Sequence, residues 1–258
     1  MSSTDVRIEV DGPVCTIILD RPAKRNAVDL PTAAALCAAF AQFEDNEALR
    51  VAVLWGAGGH FCSGGDLATL MDPQLRGGLD PRGTGPMGPS RRALSKPLIA
   101  AVSGFAVAGG LELALLADLR IVERDAVFGV FCRRWGVPLV DGGTARLPRL
   151  IGMGRALDLI LTGRAVNAAE ALAIGLATRI VAPGEARMHA ETLAHQLSAF
   201  PQQCLLADRA AVYGGWELPL EQALALEAAH GMPVMLEEGV QGAERFLAGA
   251  GRHGSFDC

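Results

Sequence analysis

SKPLIAAVSGFAVAGGLELALLADLRIV, residues 95 to 122, is the stretch from which the fold is read. Lys96-Pro97 leads into an apolar run, 98–102, that ends at Ser103-Gly104. A run this short, with no polar alternation, predicts a strand buried on both faces. A Gly-rich bend follows. Gly109-Gly110 then opens a segment, 111–119, that is apolar all round and is expected as a helix in the middle of the protein. Asp118 lies at its far end, and Glu112 is the carboxylate of its first turn. In the first helical turn it gains from the helix dipole, yet an ion buried there without a partner is costly, so it is a candidate for chemistry as well as for a satisfied structural role. Glycines at the helix start leave backbone N–H groups unshielded, and such groups can polarise a carbonyl or hold an anion.

Upstream the theme recurs. A buried strand, 51–55, is followed by Gly56-Ala57-Gly58-Gly59 and by Phe61-Cys62-Ser63-Gly64-Gly65-Asp66-Leu67, which runs into a short helix. Two units of strand, glycine bend and helix thus lie about fifty residues apart; donors converging from both would form an oxyanion hole, while ordinary β-to-α turns give the same pattern. Before them, 7–10 and 14–19 read as a hairpin joined through Asp11-Gly12-Pro13. The basic loop Asp20-Arg21-Pro22-Ala23-Lys24-Arg25-Asn26-Ala27-Val28 leads to Asp29, a candidate N-cap, with Pro31 in the first turn of a helix reaching residue 43. Such a loop is either a solvated bend or a phosphate-facing surface. Residues 71–94 are rich in Gly and Pro and are expected as one long loop. It contains Gly83-Thr84-Gly85-Pro86-Met87-Gly88, a literal dinucleotide-binding spacing. No strand precedes it and prolines stand where the receiving helix belongs, so no dinucleotide site is expected.

Downstream, 128–134 approaches a turn, and 136–144 leads into a helix ending near Gly152, for which Asp141 is a candidate N-cap. A helix over 155–161 precedes Asn167-Ala168-Ala169-Glu170, a capping-box start whose helix stops at Gly175, and a strand follows over 177–181. From Pro183 onward only helical segments appear, at 185–199, 202–213, 220–229 and 238–248. The expected organisation is an α/β core, 1–183, and a helical C-terminal region, 184–258, whose Ala/Leu-rich faces pack on a neighbouring subunit.

The totals agree with a globular chain. Half of the 258 residues are hydrophobic, ample for a substantial core. A net charge of −5 without a Lys/Arg block excludes a nucleic-acid footprint. No apolar run approaches the ~20 residues of a membrane span and the N-terminus lacks a signal pattern, so the expectation is a cytoplasmic protein with no membrane partner. Six cysteines without C-x-x-C pairs are expected as reduced thiols, and five histidines without ligand spacing predict no metal.

Several motifs carry a resemblance. They are Arg21-Pro22 with Asn26-Ala27-Val28, Phe61-Cys62-Ser63-Gly64-Gly65-Asp66, and Lys96-Pro97-Leu98-Ile99-Ala100-Ala101-Val102 with its Gly-Gly-Leu-Glu continuation. Asp118-Leu119-Arg120, Gly142-Gly143-Thr144 and Leu161-Thr162-Gly163-Arg164 extend them. On these the chain resembles the enoyl-CoA hydratase/isomerase family, the crotonases, over nearly its full length. The resemblance implies an α/β spiral of ββα units with a helical C-terminal trimerisation region, assembling as a homotrimer or a dimer of trimers. It implies an acyl-CoA thioester as ligand, with coenzyme A part of the substrate and no separate cofactor. By position it implies the backbone N–H groups of Ser63 and Gly109 as an oxyanion hole and Glu112 as the main acid/base on a thioester enolate. Lys24, Arg25, Ala27, Gly65, Asp66 and Leu67 match positions at the coenzyme A and acyl entrance, with Lys24 and Arg25 as phosphate partners.

The family's hydratases carry a second glutamate twenty residues after the first, and here that position is Cys132. A thiol there is either a proton-transfer group, its pKa lowered by Arg133 and Arg134, or a small buried side chain. Asp141 lies where isomerase-type members carry a catalytic aspartate, so Glu112 and Asp141 form a candidate pair. Two functions stay open: a lyase or isomerase of this type, and a non-catalytic acyl-CoA binder that has lost half the chemistry. A serine hydrolase is excluded because Ser63 and Ser103 lack the G-x-S-x-G elbow.

Overall fold

The apolar run at 98–102 is a strand, and its neighbours in the sheet are strands far away in sequence. The computed structural model describes residues 5–73, 80 and 82–251. β1 (Val6–Asp11) and β2 (Val14–Leu19) form the expected antiparallel hairpin. β3 (Val51–Gly56), β4 (Leu98–Val102), β6 (Leu119–Glu123) and β9 (Arg179–Val181) add to it in parallel, giving the order β1-β2-β3-β4-β6-β9. A second sheet holds β5 (Phe105–Val107), β7 (Val127–Gly129) and β8 (Val166–Asn167). β4 and β6 of the large sheet are each followed in the chain by a strand of the small sheet, β5 and β7, an alternation in keeping with the spiral the resemblance implied.

The inner strands are buried on both faces, as a parallel sheet requires. Alternate side chains divide between two cores: Ile17, Leu54 and Ala100 belong to the larger, Val53, Ile99 and Ala101 to the smaller. Ala186, Ala190, Leu193 and Ala194 complete the smaller core. They recur at helical spacing along the helix Ala186–Ala199, and the small side chains of the three alanines let it lie close on the sheet. That packing explains why the chain divides into compact units at Met1–Leu197 and Ser198–Cys258 rather than at residue 183.

The second unit consists of helices and the turns between them in its described residues. Helix Gln202–Gly215 starts at Pro201, which supplies no side-chain cap. Glu238 caps it instead, accepting from the N–H groups of Gln203 at 3.4 Å and Cys204 at 2.7 Å. Glu238 lies in a π-helical turn, Met235–Gly239, that joins helix Leu220–Val234 to helix Val240–Leu247. None of these three α-helices contains a buried residue.

Two expectations needed correction. The central helix spans Gly109–Leu116 and stops short of 119, because Leu119 opens β6. Arg120, which is buried, closes the helix by donating to the carbonyls of Ala114 at 3.4 Å and Ala117 at 2.5 Å. The expected long loop at 71–94 is in its described second half an ordered turn. A 3₁₀ turn, Pro89–Arg91, sits within it, and Met87, Pro89 and Ser90 are buried. Residues 74–79 and 81 of that loop lie outside the described residues.

Candidate active site

The helix Gly109–Leu116 is buried at all eight positions and sits where the two sheets meet. β5 delivers the chain to Ala108, whose φ of 54° is in the left-handed region, a sparsely populated conformation for a residue with a side chain. The Ala108 N–H donates to the Gly129 carbonyl at 2.9 Å, which fixes the bend. A side chain at Gly110 would run into the Cys62 carbonyl, so the glycine there is a condition of close packing. The N–H of Gly109, at the free end of the helix, has no acceptor among the described residues.

The segment from Phe61 to Asp66 runs alongside β5. Cys62 N–H donates to Phe105 O at 2.9 Å, and Val107 N–H donates to Cys62 O at 3.1 Å. On its other side, Val28 N–H donates to Gly64 O at 2.9 Å and Asp66 N–H to Val28 O at 2.8 Å. The Ser63 N–H donates to Arg25 O at 3.0 Å. Ser63 is therefore not a free donor, and its expected place in an oxyanion hole is corrected. The N–H in this segment left without an acceptor among the described residues is that of Gly65. Its neighbour Gly64, with φ of 101°, presses against the helix start so closely that a Cβ on it would stand 3.0 Å from Gly109 N. Gly65, whose N–H is unpaired among the described residues, thus follows in the chain a residue that lies against the helix start.

Glu112 lies one turn along the helix from Gly109 and is 2% exposed. Its Oε1 accepts from the backbone N–H groups of Asp141 at 2.9 Å and Gly143 at 2.8 Å. Oε2 takes no protein donor among the described residues. Burial pushes its pKa up to about 7; the Gly143 N–H opposes this, and the Asp141 charge adds to it. A Cβ on Gly143 would fall 2.9 Å from Oε1, so the second glycine of Gly142-Gly143-Thr144 makes room for the carboxyl.

Asp141 is 2% exposed and does not cap the helix Gly143–Ile151, whose N-cap is Gly142. Its Oδ1 turns instead to the Met87 N–H at 3.0 Å and to the Ser90 hydroxyl. Cys132 is 8% exposed, and its thiol is pushed above the usual range by burial, with the Glu112 charge adding to the effect and Arg133 opposing it only weakly. Of the two readings of Cys132, these observations agree with the small buried side chain and not with a thiol lowered by both arginines. Arg133 Nε donates to Ile160 O at 3.1 Å, and Arg134 donates to Gly163 O at 3.0 Å while stacking over Phe131.

At the expected entrance, Lys24 and Arg25 are exposed, and the Arg25 guanidinium lies over the Phe105 ring. Leu67 is 46% exposed. Ala27 offers its carbonyl to Arg21 at 2.6 Å, and Asp66 pairs with Arg21 at 3.3 Å while accepting from Ala68 N–H at 3.1 Å. Asp66 is thus engaged in holding the loop. Asn26, which sequence reading placed in a motif but gave no role, is fully buried with φ of 56°. It donates to Ala57 O at 2.9 Å and His60 O at 2.7 Å and accepts from Arg21 N–H at 2.8 Å, tying the basic loop to the turn before the donor segment. Among the described residues no three His, Cys, Asp or Glu side chains form a metal-binding group, and no helix is long and apolar enough to cross a membrane.

Two unpaired backbone donors beside a helix-borne carboxyl make a site able to hold an oxygen anion while a proton moves next to it. The chain belongs to the enoyl-CoA hydratase/isomerase family, whose family model matches residues 9–247. An enoyl-CoA hydratase of Mycobacterium tuberculosis is 34% identical over 96% of this chain and 94% of its own length. A carnitinyl-CoA dehydratase of Salmonella arizonae is 40% identical over 76% of this chain and 75% of its own. The crystal structure of an enoyl-CoA hydratase from Mycobacterium marinum superposes with a TM-score of 0.88 at 32% identity, covering 95% of this chain and 96% of that one. The fold is that of the crotonases.

Proposed function

We propose that this protein is an acyl-CoA enzyme that holds a thioester carbonyl oxygen between the N–H groups of Gly65 and Gly109 and moves a proton at the adjacent carbon with Glu112. The observation that carries this is the unpaired Gly109 N–H one helical turn from a carboxyl with a pKa of about 7, which can both take and give a proton near neutrality. The same carboxyl argues against a non-catalytic binder, since a pocket that only binds has no use for a buried acid. The names of the relatives, an enoyl-CoA hydratase and a carnitinyl-CoA dehydratase, support a CoA thioester as ligand. Lys24 and Arg25 are cations placed to meet its phosphates, and no cofactor beyond the substrate's own coenzyme A enters the scheme.

Abstraction of the α-proton by Glu112 sends the electron pair into the thioester, and the two donors stabilise the enolate oxygen. The enolate then collapses with return of a proton to another carbon or with loss of a β-substituent. Simple hydration also needs a group to activate water, and a thiol held protonated at Cys132 does not supply one. A double-bond shift or a related enolate step, with Asp141 sharing the proton transfer, is therefore preferred over rapid hydration of crotonyl-CoA.

The exposed Tyr213, Trp216, Leu236 and Phe246 of the second unit support assembly as a homotrimer or a dimer of trimers, which light scattering tests. A cytoplasmic location accompanies this reading. The decisive experiment is calorimetry with an acyl-CoA and its free acid, followed by a thioester panel scored for hydration, isomerisation and hydrolysis. Equal affinity for ester and acid overturns the reading.

A further inference from the structure

The turn that looked like a dinucleotide motif has a different place in this fold. Gly85 and Gly88, with φ of 107° and 82°, bracket Pro86-Met87, and the Gly88 N–H closes the turn on Gly85 O at 3.0 Å. Neither glycine tolerates a side chain. A Cβ on Gly85 would stand 2.5 Å from Asp141 Oδ1 and from Ser90 Oγ, and one on Gly88 would stand 2.6 Å from Ala33 O. Arg91 Nη2 donates to Val140 O at 2.9 Å, and Arg146 Nη1 donates to Ser90 O at 2.7 Å, so the turn is stapled to the segment that carries Asp141.

Met87 is at the centre of this turn and is 1% exposed. Its N–H donates to Asp141 Oδ1 at 3.0 Å, and the Asp141 N–H donates to Glu112 Oε1 at 2.9 Å. Its side chain closes the circuit. A Cβ on Gly109 would lie 2.5 Å from Met87 Sδ and 2.8 Å from Met87 Cγ, so the thioether occupies the space beside the helix start where any other residue would place its side chain. Gly109, Glu112, Asp141 and Met87 are therefore linked in one circuit of contacts.

We propose that Met87 determines specificity: its side chain walls the carbon next to the thioester carbonyl and excludes substituents on it. This rests on the reading that Gly109 holds the thioester oxygen and Glu112 faces the α-proton. The α-carbon then lies between those two residues, and Met87 touches the first and reaches the second through Asp141. The backbone of the turn is fixed, so only the flexible thioether can yield to a larger group. One extra methyl against such a wall costs about 10- to 200-fold in discrimination.

The test uses two saturated esters that cannot turn over, butanoyl-CoA and 2-methylbutanoyl-CoA, titrated calorimetrically into the wild type, Met87→Ala and Met87→Leu. The wild type is expected to bind the straight ester at least ~10-fold tighter, Met87→Leu to keep that preference, and Met87→Ala to bring the two within ~3-fold. The ratio is taken within each protein, so a lower folded fraction in a variant cancels. A Met87→Ala ratio equal to that of the wild type, or a wild type that binds both esters alike, overturns the proposal. A wild type that binds neither ester removes the acyl-CoA reading and this inference with it.

Discussion

The backbone N–H of Asp141 donates to the Glu112 carboxyl at 2.9 Å, while the Asp141 side chain faces away from that bond toward Met87 and Ser90. One residue thus fixes the position of the candidate acid/base through its main chain and raises its pKa through its charge. The two effects can be separated by mutation.

Glu112→Gln keeps an oxygen to accept the Asp141 and Gly143 N–H groups and loses the base. Turnover of the true substrate is expected to fall at least ~10²-fold with ligand binding nearly intact. Stability should move the other way. The carboxyl is raised in the folded protein from 4.5 to about 7, so the folded state holds the proton more tightly than the unfolded chain. Wild-type stability therefore falls as pH rises between those values and is lowest above 7. Glu112→Gln removes that loss, on the order of 1–3 kcal/mol. Melting curves at pH 5 and pH 8 check it: a variant no more stable than the wild type at the higher pH contradicts a buried, raised carboxyl.

Asp141→Asn retains an acceptor for Met87 N–H and Ser90 Oγ–H, so the turn should hold. Removing the neighbouring charge lowers the Glu112 pKa, and the acid limb of the pH–rate profile should shift to lower pH. If Asp141 also shares the proton transfer, kcat drops by ~10²-fold while KM stays close to that of the wild type. An unchanged profile and rate would leave Asp141 with an architectural role only.

Cys132 is where the chain departs from the paired glutamates of the hydratases it resembles. Crotonyl-CoA hydration by the wild type is expected to be slow, and Cys132→Glu to raise it about ten-fold or more if the geometry of two carboxyls is restored. Cys132→Ser should alter little, since the raised thiol, like a serine hydroxyl, stays protonated near neutrality. Rapid hydration by the wild type, indifferent to Asp141→Asn, would show that Glu112 suffices.

Much of this was readable in the chain because burial leaves a strong mark on composition. The continuous apolar run of β4, the all-apolar helix broken by Glu112, and the capping Asp29, which accepts from Thr32 N–H at 2.9 Å, each follow from local chemistry. β5 and β7 are only three residues long and carry no periodicity to detect. The turn around Met87 was read as open loop because Gly and Pro mark a bend without saying what it packs against. Its order comes from contacts with Asp141 and Ala33, more than fifty residues away in either direction. The choice between Ser63 and Gly65 was equally hidden, since both sit in one glycine-rich segment. Only the pairing of that segment with Arg25 and Val28 shows which N–H groups are already in use.

That pairing makes the donor assignment testable at a single atom. A Cβ on Gly65 meets nothing within 4 Å and its φ is not positive, so Gly65→Ala should fold and keep activity within a few-fold. Gly65→Pro adds little more bulk but removes the N–H, and the loss of one oxyanion donor is expected to cost about 10²- to 10³-fold in kcat. Because the donor acts on charge that develops during reaction, KM for the acyl-CoA should change far less than kcat. Ser63→Ala provides the contrast, for its N–H stays bonded to Arg25 O and only the hydroxyl bond to Lys24 O at 3.2 Å is lost. Comparable kcat for Gly65→Pro and Gly65→Ala, with both proteins folded by circular dichroism, would remove Gly65 from the oxyanion hole.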